Sequence, residues 1–218
     1  MMAQQMSCFQ CEQTAGCAGC TGKAGVCGKS ADLAKLQDEL TGALVGLARA
    51  AEGQTDPGEE TWKLITEGLF ATVTNVNFDE AFIRGLMEQI HGEKERLVPE
   101  CGGCGDACGR NDDCDMELLW SADEDIRSLK SLIGIRGMAA YAYHAGVLGY
   151  ADEAVSRFLA KALRAVGEDW GMEELLPVVL EVGQYNYACM ELLDRANTET
   201  YGTPVPAVVP LKVEKGPF

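Results

Sequence analysis

The chain has 218 residues, 47% of them apolar and 24% charged, which excludes a disordered or collagen-like polypeptide and fits a soluble globular protein of one large or two small domains. Eighteen Lys and Arg stand against 34 Asp and Glu, and the resulting net charge of −16 argues against binding to nucleic acid or to an anionic membrane surface. No charged-then-apolar leader and no apolar run of about 18 residues is present, so a cytoplasmic location is expected. A chain of this size buries roughly 70% of its unfolded surface and needs no disulfides to fold. In a reducing cytosol its ten cysteines therefore read as metal ligands or reactive thiols.

Residues 1–30 hold Cys8, Cys11, Cys17, Cys20 and Cys27, with one carboxylate, Glu12, against Lys23 and Lys29, which makes this the least acidic part of the chain. Four thiolates around a four-iron cubane carry a net charge of about −2, which calls for backbone N–H groups and cations nearby. Gly16, Gly19, Gly22, Gly25 and Gly28 would let the backbone approach sulfur, and Lys23 and Lys29 supply positive charge. The preferred ligand set is Cys8-x2-Cys11-x8-Cys20-x6-Cys27, with Cys17 spare. Spacing leaves open a zinc tetrahedron of Cys8, Cys11, Cys17 and Cys20, although those pairs lie closer together than in zinc ribbons. Gly28-Lys29-Ser30 ends like a phosphate loop, but Lys23 stands where the leading glycine belongs, so no nucleotide site is expected here.

Ser30 is a plausible N-cap, and Leu33, Leu36, Leu40, Leu44 and Leu47 form the apolar stripe of a helix reaching about Gly53. Asp56-Pro57-Gly58-Glu59 predicts a second helix start, with Asp56 as cap and Pro57 at the first helical position, followed by Trp62, Ile65, Leu69 and Val73. A third helix is expected from near Asp79 through Phe82, Leu86 and Ile90 to about Leu97.

Cys101-x2-Cys104-x3-Cys108-x5-Cys114 lies in the next loop. Its four sulfurs would suit a second centre, yet Glu100, Asp106, Asp112, Asp113 and Asp115 against Arg110 disfavour another anionic cluster, and loop thiols are the preferred reading. Ser121-Ala122-Asp123-Glu124 is a capping box that predicts a long helix through Ile126, Leu129 and Ile133 to His144, with Gly134 and Gly137 inside it as points of close packing. Val155, Phe158, Leu159 and Leu163 mark a fifth helix, and a sixth runs from Leu175 to about Ala196. Cys189 in that last helix reads as a small buried apolar residue, and His91 and His144 as packed or solvated helical residues. Four of the seven prolines crowd the last 15 residues and favour an extended path.

The expected architecture is all-α: a cysteine-rich loop (1–30), a helical group (31–100), a second cysteine-rich loop (101–120), a helical group (121–200) and an extended tail (201–218), forming two three-helix bundles.

Cys8-Phe9-Gln10-Cys11-Glu12-Gln13-Thr14-Ala15, Cys20-Thr21-Gly22-Lys23 and Val26-Cys27-Gly28-Lys29 closely resemble the N-terminus of hybrid cluster proteins, also called prismane proteins or hydroxylamine reductases. The resemblance continues in Thr74-Asn75-Val76-Asn77-Phe78-Asp79, Asp123-Glu124-Asp125-Ile126-Arg127, Gly137-Met138-Ala139-Ala140-Tyr141 and Ala196-Asn197-Thr198-Glu199-Thr200-Tyr201-Gly202. It implies that Cys8, Cys11, Cys20 and Cys27 bind the N-terminal cluster, a [4Fe–4S] centre in the short-spaced class that this spacing matches. It also implies that the hybrid Fe–S–O cluster, where hydroxylamine or nitric oxide is reduced, belongs to later domains that do not follow Phe218. The expected function is an electron-transfer domain between an external donor, ferredoxin-like or a flavin reductase, and those remaining domains. Complete hydroxylamine reductase activity is expected only when those domains are present. A zinc-stapled helical interaction module is the alternative without redox chemistry. Cys114 stands where tyrosine is usual in the family, which weakens a metal-binding role for its cluster.

Overall fold

The computed structural model describes residues 6, 8, 20–52, 54–73, 76–98, 113–116, 123, 125–127, 130 and 133–206. Six helices are traced in full: α1 Ala31–Glu52, α2 Glu59–Ala71, α3 Glu80–Leu97, α4 Ile135–Val147, α5 Glu153–Gly167 and α6 Met172–Tyr201. The fold is all-α, and among the described residues the only extended pairings are two isolated bridges, Cys8 with Cys20 and Ala24 with Ser30.

Several helix starts follow from their caps. Ser30 Oγ accepts from the Leu33 N–H at 3.0 Å, Asp79 accepts from Ala81 and Phe82, and Asp152 accepts from Ala154 and Val155, each answering donors that the first turn leaves unpaired. The second helix begins later than its sequence suggests. Gly58 takes φ 97°, Pro57 stays outside, and Asp56 accepts from the Gly58 N–H at 3.1 Å instead of capping the helix. Glu59 and Glu60 then occupy the first turn, where the helix dipole favours them.

The long helix expected between 123 and 144 is interrupted. Residues 125–127 and 130 are helical and Asp123 accepts from the Asp125 and Arg127 N–H groups, but Ile133 N closes a turn onto Lys130 O and α4 restarts after Gly134 at φ 18°, ψ 31°. Burial of Ile133 and Ile135 on either side of that glycine accounts for the break, since both side chains reach the core. Gly137 has open space where a Cβ would sit, so it is no point of close packing. The sixth helix is longer than its apolar pattern, running through Pro177 in its second turn and ending where Gly202 takes φ 81°.

α1 is the centre of the molecule. Every residue from Leu40 to Ala48 is buried, so this helix is covered on all sides rather than along one stripe. It packs on α3 and α5, while α2 packs on α4 and α4 on α6. The two groups of three marked by the sequence thus share one core, which runs from Leu33 through Ile65, Ile90, Met138 and Leu159 to Cys189.

Small residues allow the close approaches. The Cys114 N–H donates to Gly42 O at 3.1 Å, and a Cβ on Gly42 would fall well inside contact with the Cys114 carbonyl oxygen. Gly167 at the end of α5 meets Val45 in the same way. Polar staples close the far end: Arg49 donates to Gly167 O at 2.8 Å and pairs with Glu168 at 3.2 Å, and Lys130 donates to Glu168 O at 2.7 Å.

Gly42→Ala is expected to lose about 1–3 kcal/mol through overpacking, despite its better helix propensity. Gly85→Ala, at an open position in α3, should gain roughly 0.5–1 kcal/mol. Urea denaturation of the two variants checks both signs.

Candidate metal centre

The cysteine loop is held by backbone pairing. Cys8 and Cys20 exchange both hydrogen bonds, Cys8 N–H to Cys20 O at 3.1 Å and Cys20 N–H to Cys8 O at 2.9 Å. Residues paired in this way project their side chains from the same face of the ladder. The Ala24–Ser30 bridge closes a second small loop with Cys27 near its tip, and the Gly25 N–H donates to Lys29 O at 2.8 Å. At Gly28, φ is +88°, a conformation that favours glycine.

Gly25 shows why a glycine is needed beside sulfur. A Cβ there would lie 3.4 Å from Cys27 Sγ and 3.8 Å from Cys20 Sγ, so both sulfurs border the same point of backbone. Gly22 and Gly28 have open space instead, and Gly16 and Gly19 lie outside the described residues. Cys20 is buried in a small apolar cluster with Met6 and Ala34, against which Cys8 and Ala31 pack, while Cys27 is exposed. The loop thus has a covered side on the start of α1 and an open side at Cys27.

Of the four expected ligands, Cys8, Cys20 and Cys27 belong to this one structure; Cys11 lies outside the described residues, as does Cys17. Among the described residues no three Cys, His, Asp or Glu side chains converge on a single ion.

The electrostatics fit an anionic group. Lys29 is only 1% exposed and donates to Gln37 Oε1, whereas Lys23 points to solvent. A second cation comes from far along the chain. Burial draws the Arg136 guanidinium below its ordinary pKa, and the charges of Asp38 and Cys8 oppose that shift. Sequence reading missed Arg136; its one signal is a lone charge inside the apolar stretch from Leu132 to Ala142.

In the second cysteine group, Cys101, Cys104 and Cys108 lie outside the described residues. Cys114 packs against the main core, and burial raises its thiol pKa while Arg49 and Lys130 oppose the rise. Neighbouring Asp113 bonds Lys94 at 2.6 Å and His91 at 2.9 Å; burial disfavours its charge, but these partners hold the carboxyl below its usual range. His144 meets the Phe70 ring edge-on at 5.2 Å. Cys189 is fully buried, and burial pushes its thiol up to about 11.

The Prismane/CO dehydrogenase family model matches residues 6–217. The chain belongs to this family. Curated relatives in the prismane family include a hydroxylamine reductase of Methanococcus vannielii, 40% identical over 91% of this chain and 40% of its own length. The hydroxylamine reductases of Thermoanaerobacter pseudethanolicus and Thermodesulfovibrio yellowstonii are 38% and 40% identical, each over 97% of this chain and 43% of its own length. The chain therefore spans about two fifths of these prismane relatives. Prismane proteins bind iron–sulfur clusters, and the thiol donors with their buried cation have the matching chemistry. No helix among the described residues is long and apolar enough to cross a membrane.

At pH 8, Cys189 is expected to be thiolate to the extent of about one part in a thousand. Among the described cysteines, alkylation of the metal-free protein should label Cys27 first and reach Cys189 only on unfolding, as read by mass mapping of modified peptides.

Proposed function

We propose that this chain binds one [4Fe–4S] cluster through Cys8, Cys11, Cys20 and Cys27 and acts as a one-electron relay. The observation that carries the reading is the paired Cys8–Cys20 backbone, with Cys20 and Cys27 sulfurs bordering Gly25 above the buried Lys29. A bound cluster would supply a delocalised one-electron redox couple; the protein supplies ligation, burial and charge. Met6, Ala31 and Ala34 cover the Cys8–Cys20 side and limit water there, while the α1 N-terminus and its Ser30 cap favour negative charge next to the loop. Cys27 remains at the surface, where an electron has a short path from a docked donor.

In this reading the donor is a ferredoxin-like protein or a flavin reductase, and the acceptor is a hybrid Fe–S–O cluster in further domains. Hydroxylamine or nitric oxide reduction would occur only where those domains are present. The length of the curated hydroxylamine reductases, of which this chain spans about two fifths, supports that division. So does α6, which exposes Met172, Leu176, Leu180, Tyr187, Met190 and Tyr201 along one helical face, the surface another domain would cover. The cysteine-rich, acidic composition fits a reducing cytoplasm.

Anaerobic reconstitution is expected to give about four irons and four sulfides per chain with the visible charge-transfer absorbance of an iron–sulfur protein. Recovery of zinc alone would overturn the reading. Cys20→Ser should abolish the cluster and Cys17→Ser should retain it. The reconstituted chain alone, supplied with a strong artificial donor, should reduce hydroxylamine no faster than free cluster.

A further inference from the structure

Two cations meet behind the cysteine loop through a single chain of hydrogen bonds. Lys29, two residues beyond Cys27, donates to Gln37 Oε1. Gln37 is held at both ends: its Nε2 donates to Asn77 O at 3.0 Å, and its backbone carbonyl accepts from Thr41 Oγ1 at 2.8 Å. Thr41 Oγ1 accepts in turn from Arg136 Nη2 at 3.2 Å. Arg136 Nε donates at 2.8 Å to Thr72 Oγ1, whose hydroxyl donates to Leu69 O at 2.8 Å. The cysteine loop, α1, the approach to α3, the end of α2 and the start of α4 thus share one polar core. Gln37 and Thr41 lie four residues apart on one face of α1 and join the cations.

Burying an ammonium or a guanidinium costs several kcal/mol, and apolar side chains of similar volume would pin the same elements at lower cost. The network lies against the cysteine loop: Lys29 Cβ, 3.7 Å from where a Cβ on Gly25 would sit, borders the same point of backbone as the Cys27 and Cys20 sulfurs. Of the two loop lysines, the one turned inward is Lys29, and Arg136 at the other end of the network lies within electrostatic reach of Asp38 and Cys8.

We propose that Lys29 and Arg136 form a paired internal counter-charge that raises the reduction potential of the group held by Cys8, Cys11, Cys20 and Cys27, with Gln37 and Thr41 as positioning residues. The proposal rests on the reading of those cysteines as cluster ligands. Reduction adds one electron from an external donor and breaks no bond, so the bound group becomes more negative by one unit. A fixed cation nearby stabilises the reduced form more than the oxidised one. Removing either cation therefore lowers the potential.

The test begins with reconstitution of the wild-type chain. Failure to incorporate iron and sulfide there would defeat the cluster reading itself, before any variant is compared. With the cluster in place, the potential is measured by dye-mediated titration followed by EPR. Lys29→Met and Arg136→Met are expected to weaken reduction at least tenfold, about 59 mV for one electron. Arg136→Lys should stay close to wild type, and Lys23→Met, on the exposed side, should shift the potential less. Gln37→Glu keeps both cations and the side-chain size but neutralises Lys29 in place, and should also lower the potential. It serves where a methionine variant fails to fold. Unchanged potentials in the loaded variants, with only the melting temperature lowered, would overturn the proposal and leave the network a structural staple. Loss of the cluster from Gln37→Glu would overturn it equally.

Discussion

A thiolate-rich loop can be held on a helical protein only if its negative charge and its backbone are both accommodated, and the first turn of α1 does both. Ser30 caps that helix, Ala31 and Ala34 support Cys8 and Cys20, and Lys29 is drawn inward at the same place. The helix that carries this junction is the one buried on every side between Leu40 and Ala48. Its N-terminal end, on which Cys8 and Cys20 pack, is therefore anchored by the packing of the whole core.

The parts of the fold that rest on local chemistry were legible in the sequence. The leucine stripe of α1, the Asp79 start of α3 and the Val155–Leu163 stripe of α5 all depend on residues within a few positions of one another. The second helix start was misread because Gly58, by adopting a left-handed conformation, overrides the capping signature formed by Asp56 and Pro57. The break at Gly134 was missed because Ile126, Leu129 and Ile133 keep a helical spacing that carries no stop signal; only the core that also receives Ile135, two residues on, explains why the chain turns there. Within the site, the cysteine spacing and Lys29 were visible, but Arg136 bonds residues 64 and 95 positions away, and no local pattern reports such a contact.

The family relationship and the structure describe different aspects of the same segment. The prismane match runs through both cysteine-rich regions and all six helices. Inside that span the physical roles divide: thiols at the N-terminal loop stand beside the buried Lys29, whereas burial raises the thiol pKa of Cys114 and Cys189. Cysteine count alone would have treated these as equivalent. What separates them is the charge and water around each sulfur.

The crossing of Cys114 over Gly42 bears on how this sequence can vary. Asp113 is tied to His91 and Lys94 on α3, and the adjacent Cys114 backbone lies against α1 with no room for a Cβ on the facing residue. Both ends of the intervening stretch, at Val98 and at Asp113, are thus fixed to the core. Position 42 therefore stays glycine for as long as the backbone at 114 keeps its place.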